Sequence, residues 1–151
     1  EKEREEETMA EFSRFIRANK KEKENERYAP TASLCDENGK PLEWEFRHIT
    51  SAENEEIREK CTIDVQVTGK PNVFRPKLKS SEYVKKMVTA SVVYPDLDNA
   101  ELQDSYGVKR PEELLLEMVD DPGEYNRLCD FVQKFQGFNA SFEDKVEEAK
   151  N

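Results

Sequence analysis

The sequence predicts an α+β fold, in which a small N-terminal antiparallel sheet packs against a C-terminal helical region. Apolar and polar residues alternate within short segments up to residue 78, which is typical of strands with one buried face. Beyond residue 80 the apolar residues recur at intervals of three and four, which indicates amphipathic helices. A length of 151 residues and a hydrophobic content of 35% suit one domain with a modest core.

The predicted domain boundaries follow these changes of pattern. Residues 1–27 form a charged N-terminal extension with a short amphipathic helix, and residues 28–151 form a single α+β domain. Within it we expect a β-rich half, a helical half and a C-terminal helix, over 28–78, 79–137 and 138–151. The sheet consists of a hairpin over 28–49 with strands near 62–67 and 73–78, and the helical region covers 80–150. Residues 1–8 are almost wholly charged, and we expect an upstream extension that buries no core.

The N-terminal extension carries one apolar group between two charged runs. Phe12, Phe15 and Ile16 recur at helical spacing, which predicts a helix over residues 11–19. The polar run 20–27 is predicted to be a linker, which would let this helix dock on its own domain or on a neighbouring subunit. Self-association through Phe12, Phe15 and Ile16 is therefore one prediction.

The hairpin is predicted from its turn and from the alternation after it. Asn38-Gly39 is the strongest short signal for a hairpin turn. Trp44 and Phe46 alternate with charged residues and should therefore face the core. His48, the only histidine, falls at the end of the same face, where we expect a packed or edge residue.

A capping box and a proline define the segment after the hairpin. Thr50 and Glu53 have the spacing of a capping box, which predicts a charged helix over 52–60. Pro76 lies in the last predicted strand and makes it an edge strand, because proline has no N–H to donate to a central ladder.

A helix that begins at Ser80 or Ser81 is predicted to form the centre of the core. Either serine can cap it, and Pro95 ends it because the residue before a proline is disfavoured in the α region. Its apolar face carries Tyr83, Val84, Met87, Val88 and Val92. Across the whole chain, the residues that we expect to be buried are Trp44, Phe46, Val84, Met87, Val88, Leu128, Phe131 and Val132.

Three shorter helices are predicted to follow. The first ends at Gly107, the second begins with Pro111 in its first turn, and the third opens after Asp121. The second contains Leu114-Leu115-Leu116, and three consecutive helical residues cannot all face one core. Either this helix is sandwiched on two sides within the monomer, or the Leu114–Leu116 ridge is a second surface for self-association.

The net charge of −10 lies mainly on the C-terminal helices. Residues 96–151 carry fifteen acidic and six basic residues. Such a field repels phosphate, so we expect no nucleic-acid partner. No apolar run approaches the ~20 residues that a membrane span needs, and no charged-then-apolar leader opens the chain, so we expect neither membrane association nor a signal peptide.

The sequence offers no group of residues with the spacing of a catalytic or metal site. Cys35, Cys61 and Cys129 are widely spaced, which is typical of reduced thiols, and with one histidine they do not supply a zinc site. The acidic residues over 96–104 lack the glycine and the final glutamate of a calcium loop. We therefore expect a non-enzymatic protein without catalytic residues, metal or cofactor.

Several stretches together resemble the XkdN-like family of phage tail assembly chaperones. They are ASVVYPDLDNAELQDSYGV over 90–108, PEELLLEMVDDPGEYNRLCDFVQKFQGF over 111–138, VEEAKN over 146–151, DENGKPLEWEFRHIT over 36–50 and ENEEIREKCT over 53–62. The likeness covers roughly residues 34–151, with a looser match from Met9. It lies in helix faces and turns, not in a catalytic signature.

The resemblance implies an assembly chaperone that binds the tape measure protein, a long and partly apolar helical chain. It would act in the cytoplasm of the bacterial host, would have the tail tube protein as a further partner, and would be absent from the mature virion. A homo-oligomer is expected on a different ground, because the chain has more apolar residues than one small core needs and a tethered N-terminal helix. Such a role asks for exposed apolar ridges surrounded by charge. The predicted contact residues are Leu114, Leu115, Met118, Phe138 and Phe142.

A second function class fits the charge distribution. An acidic protein can mimic a nucleic acid and so inhibit a nucleic-acid-binding partner, and the uneven negative charge favours this alternative. Strong salt sensitivity of partner binding would indicate the mimic, whereas weak sensitivity with apolar contacts would indicate the chaperone.

Overall fold

Helices and short strands alternate along the chain in the computed structural model, which describes residues 2–138, without the side chain of Glu7. The helices are α1 (Lys2–Ser13), α2 (Ser51–Lys60), α3 (Ser80–Ser91), α4 (Ala100–Ser105), α5 (Pro111–Met118) and α6 (Pro122–Phe135), with a 3-10 turn at Arg17–Asn19. The strands are β1 (Glu26–Tyr28), β2 (Trp44–Phe46), β3 (Thr62–Gln66), β4 (Phe74–Leu78) and β5 (Val92–Tyr94). The α+β class is confirmed, and the predicted C-terminal helix over 138–151 lies almost wholly outside the described residues.

The strands form two antiparallel sheets. One has the order β1-β2-β5, and the other consists of β3 and β4. The hairpin predicted over 28–49 is present only in part: β1 pairs with β2, with Tyr28 opposite Trp44, and a separate single bridge joins Cys35 to Pro41 on either side of the Asn38-Gly39 turn. Within residues 2–138 the two later strands pair only with each other and do not extend that sheet, which corrects the single sheet expected from the sequence.

β5 occupies the place where the sequence predicted α3 to continue. α3 ends at Ser91, and Val92 is already extended, with φ −77° and ψ 119°. Val92, Val93 and Tyr94 are β-branched or aromatic residues that favour strands, and β2 offers a free edge on which they pair. The assignment of Val92 to the helical face was therefore wrong.

The N-terminal helix lies earlier than predicted. α1 occupies the charged run, because Glu, Lys, Arg, Met and Ala are all good helix formers. The chain then tightens into a turn in which the Phe15 N–H donates to the Phe12 carbonyl at 3.0 Å. The helix predicted over residues 11–19 is thus the end of α1 followed by a turn.

The main core lies where β2, α3, α5 and α6 meet. Six of the eight residues predicted to be buried are so: Trp44, Phe46, Met87, Val88, Leu128 and Val132. Val84 and Phe131 are half-buried at the margin of this core. Phe131 is covered on one side by Tyr28, whose ring stacks on it with centroids 4.3 Å apart.

Side-chain caps begin three of the helices where the sequence has polar residues. Thr50 and Glu53 form the predicted capping box of α2, with both hydrogen bonds at 3.1 Å. Asn99 accepts from the Leu102 N–H at 2.9 Å and starts α4. Asp121 caps α6 in the same way.

One side chain of α6 and one at its C-terminal cap fix this helix to distant parts of the chain. The Glu124 carboxylate accepts from the Thr31 hydroxyl and the Ala32 N–H, both at 2.8 Å. The Gln136 side chain donates to the Arg47 carbonyl at 2.9 Å and to the Ser91 hydroxyl at 2.8 Å. These bonds close the three-stranded sheet against α6.

Candidate partner-binding surfaces

The leucine run of α5 faces the core. Leu114 and Leu115 are 0% exposed, and Met118 is also buried. Only Leu116 points outward, with 40% exposure. The helix is sandwiched within the monomer, so Leu114, Leu115 and Met118 are core residues and not members of an exposed contact ridge. Of the ridge predicted for self-association, Leu116 alone reaches the surface.

Phe138 lies three residues beyond the end of α6 and is half-buried. Its N–H donates to the Gln133 carbonyl at 2.9 Å, and Gly137 before it has φ 95°, a left-handed conformation that glycine adopts without a Cβ clash. Phe142, the other aromatic residue predicted to contact a partner, lies outside the described residues. Both contacts stay predictions.

The largest exposed apolar side chains of the N-terminal segment lie at and just after the end of α1. Phe12 is 69% exposed and Phe15 is 85% exposed, and Met9 and Ile16 are also exposed. Met9, Phe12 and Phe15 are spaced by three residues, so they lie on one side of the helix and its closing turn. We call Met9, Phe12, Phe15 and Ile16 the N-terminal apolar cluster. The sequence identified three of its members and missed Met9.

The acidic residues of the helical half divide into two groups. Some have partners in the fold: Asp121 caps α6, Glu124 within α6 accepts from Thr31, and Glu112 lies 3.8 Å from the ammonium of Lys86. Others project from α4, α5 and the connecting loops as exposed side chains: Asp98, Glu101, Asp104, Glu117 and Asp120. Part of the acidic surface is therefore used in folding, and the rest gives this half its exposed negative charge.

The shortest ion pair among the described residues joins Arg47, which follows β2, to Glu53 in α2. The Arg47 guanidinium donates to both carboxylate oxygens of Glu53. These hydrogen bonds lower the pKa of Glu53 to about 2. Because Glu53 is also the capping-box residue, this pair positions the start of α2 against the sheet.

His48 is a packed residue. Its ring lies 3.9 Å from the ring of Phe135 between centroids, and burial lowers its pKa. Its Nδ1 is buried and has no hydrogen-bond partner within residues 2–138.

Cys61 is a buried free thiol. Burial raises its pKa, which disfavours the reactive thiolate.

Over residues 2–138, no three His, Cys, Asp or Glu side chains come together as a metal site would require. No helix in that range combines the length and the apolar character needed to cross a membrane.

The chain is similar in sequence to known proteins. The sequence profile of the phage XkdN-like tail assembly chaperone proteins matches residues 12–150. Two proteins of Bacillus subtilis (strain 168), the phage-like element PBSX protein XkdN and the protein YqbN, are each 26% identical over 118 residues, which is 78% of this chain and 78% of each relative. A crystal structure of YqbN has a TM-score of 0.69 at 20% identity, and the match covers 84% of this chain and 96% of that one, so the two share a fold.

Proposed function

Since this chain belongs to the XkdN-like family of phage tail assembly chaperones, we propose that it binds the tape measure protein during tail assembly. The tape measure protein is expected to be a long helical chain with apolar stretches, which would aggregate unless they were covered. The role that follows is to cover such stretches until the tail tube encloses them. The family suggests a non-enzymatic role.

The exposed N-terminal apolar cluster is the observation that carries this proposal. Aromatic side chains such as Phe12 and Phe15 dominate the binding energy of many interfaces. An apolar face on a short helix pairs readily with an amphipathic helix. The rest of α1 is mostly charged, which would keep this apolar surface from driving non-specific aggregation.

The acidic surface has a supporting part in this proposal. A chain with a net charge of −10 attracts a basic or mixed partner from a distance, which speeds encounter. Exposed charges contribute little to affinity once the partner is bound, because water and salt screen them. Apolar contacts would therefore provide most of the binding free energy.

The other predicted contacts and partners are proposed in addition to the N-terminal apolar cluster. Phe138 and Phe142 remain proposed additional contacts beyond α6. Leu114, Leu115 and Met118 would act through the fold, because they hold α5 in the core. We further propose that the protein works in the cytoplasm of the bacterial host, meets the tail tube protein there, and is absent from the mature virion.

Co-expression with the tape measure protein of the same tail operon tests the proposal. We expect the wild-type chain to keep the tape measure protein in the soluble fraction and to co-purify with it. Phe12→Asp and Phe15→Asp should each abolish this effect while the circular dichroism spectrum stays unchanged. Leu42→Asp is the matched control, because Leu42 is an exposed apolar residue of the loop before β2 and should leave binding intact.

Two outcomes would count against the proposal in different ways. If the wild-type chain leaves the tape measure protein insoluble, binding itself is refuted. If Phe15→Asp performs as well as the wild type, the N-terminal apolar cluster is not the contact surface. The competing hypothesis is that Phe12, Phe15 and Ile16 bind a second copy of this chain. Light scattering of the same variants distinguishes the two, because it measures whether the chain self-associates.

The exposed acidic residues keep the nucleic-acid mimic as a second candidate function. It would bind a basic groove through residues such as Asp98, Glu101 and Asp104. Its binding would be lost in moderate salt, and the substitutions in the N-terminal apolar cluster would not affect it.

A further inference from the structure

We propose that the segment of residues 139–151 docks through its acidic side chains into a basic pocket of the same molecule. The pocket lies between the loop before β1 and the N-terminal end of α2, and it is here called the basic pocket. The contact is intramolecular, and the inference holds whether or not the chain binds the tape measure protein.

The basic pocket is a local concentration of positive charge. It has a volume of about 630 Å³, and among the described residues that line it Glu22 alone is acidic. Its basic lining residues are Arg17, Lys20, Lys21, Lys23 and Arg47. The whole chain has a net charge of −10, so the pocket is opposite in sign to the molecule around it. A ligand rich in carboxylates is therefore its electrostatic complement.

Most of these cations are available to a ligand. Of the five, Arg47 alone forms an ion pair with a described side chain, that of Glu53. The other four are exposed. Like charges gathered around one pocket repel one another, and an acidic ligand relieves that repulsion.

Two further features make the basic pocket favourable for carboxylates. Thr50 and Ser51 line it at the N-terminal end of α2, where the helix dipole favours negative charge. His48 also lines it, and burial, followed by the charge of Lys23, lowers the pKa of His48. A positive field inside the pocket accounts for the contribution of Lys23.

The end of α6 brings the segment to the basic pocket. The Gln136 side chain accepts from the Ile49 N–H at 3.1 Å, and the rings of Phe135 and His48 lie 3.9 Å apart between centroids. Ile49 and His48 both line the pocket. The residues from Gln136 to Glu143 span at most about 25 Å, so the first acidic residue of the segment is within reach. A short tether gives an effective concentration on the order of millimolar.

The segment has the charge pattern that such a contact requires. It carries two lysines and four acidic residues, which are Glu143, Asp144, Glu147 and Glu148. In the helix that the sequence predicts here, the spacing of four places these acidic residues on one face. Phe142 and Val146 fall on the other face. The acidic face can therefore enter the basic pocket while Phe142 stays available for the contact with the tape measure protein proposed above.

Zero-length cross-linking with a carbodiimide tests the contact on the full-length chain. The reagent joins a lysine amine to a carboxylate when the two touch, and mass spectrometry identifies the pair. We expect cross-links from the pocket lysines to acidic residues over 143–148, and none from Lys109, which is exposed and outside the pocket. In a mixture of isotopically labelled and unlabelled chains, each cross-link should join residues of one isotope.

Arg17→Glu makes the test specific, because it reverses a charge of the basic pocket and leaves every lysine in place. The yield of the cross-links should fall by at least about fivefold. Arg75→Glu is the matched control and should leave the yield unchanged, because Arg75 is an exposed arginine of β4 outside the pocket. Both sites are exposed, so folding should be retained, and circular dichroism checks it.

Three results would overturn the proposal. The first is that the pocket lysines form no cross-link to the segment, or that Lys109 forms as many. The second is a yield that is the same in Arg17→Glu as in the wild type. The third is that cross-links join only labelled to unlabelled chains, which would assign the basic pocket to a second copy.

Discussion

The leucines of α5 differ in exposure, and we expect them to differ in their contribution to stability. Leu115 is 0% exposed in the core, while its neighbour Leu116 is 40% exposed. Leu115→Ala should lower the free energy of unfolding by about 2–5 kcal/mol, because it removes buried methyl groups and leaves a cavity. Leu116→Ala should lower it by less than about 1 kcal/mol. Urea unfolding measures both, and equal effects would contradict the orientation of α5.

A second residue-level prediction concerns pH. The pKa of Glu53 falls from 4.5 to about 2 because the Arg47 guanidinium bonds its carboxylate. On acidification the unfolded chain takes up the Glu53 proton first, so the stabilisation is complete above pH 4.5 and is lost as the pH falls through about 2. Both side chains are partly exposed, so its size is at most about 1 kcal/mol.

Glu53→Gln isolates this effect. Glutamine can still complete the capping box, so the variant loses the charge and keeps the start of α2. The difference in unfolding free energy between the wild type and Glu53→Gln should be largest near pH 6 and should shrink between pH 4.5 and 2. A difference that is constant over this range would show that the ion pair does not contribute to stability.

At the level of elements, α1 is predicted to be dispensable for folding. Its described side chains are exposed, apart from the half-buried Ser13. Deletion of residues 1–13 should therefore change the melting temperature by less than about 3 °C. Circular dichroism should lose the signal of a helix of 12 residues, and a large fall in melting temperature would show that α1 packs on the domain.

Local signals were sufficient to predict several elements from the sequence. The alternation around Trp44 and Phe46, the capping box at Thr50 and the proline at the start of α5 each depend on neighbouring residues, and the structure confirms all three. These patterns determine which face is buried and where a helix begins. These features can be predicted from the sequence because the interactions that cause them involve residues only a few positions apart.

Features that depend on distant contacts could not be read in this way. The strand β5 exists because β2 provides a pairing edge, and no local pattern shows that edge. The burial of Leu114 and Leu115 depends on the helices packed around α5. The strands β3 and β4 were both predicted, but their separation from the three-stranded sheet depends on tertiary contacts.

At the level of the whole molecule, the salt dependence of partner binding distinguishes the two candidate functions. If apolar contacts bind the tape measure protein, the affinity should change by less than about threefold between 50 and 200 mM salt, because screening mainly affects the encounter. A nucleic-acid mimic would lose on the order of 10³-fold in affinity for its partner over the same range. Titration at both salt concentrations distinguishes them.

The central claim is that this chain binds the tape measure protein, and co-purification from a shared expression host tests it most directly. The account predicts that a tagged wild-type chain brings the tape measure protein into the soluble fraction and elutes with it, and that Leu42→Asp does the same. A tape measure protein that stays in the insoluble fraction with both chains, although each chain is well folded, would contradict it.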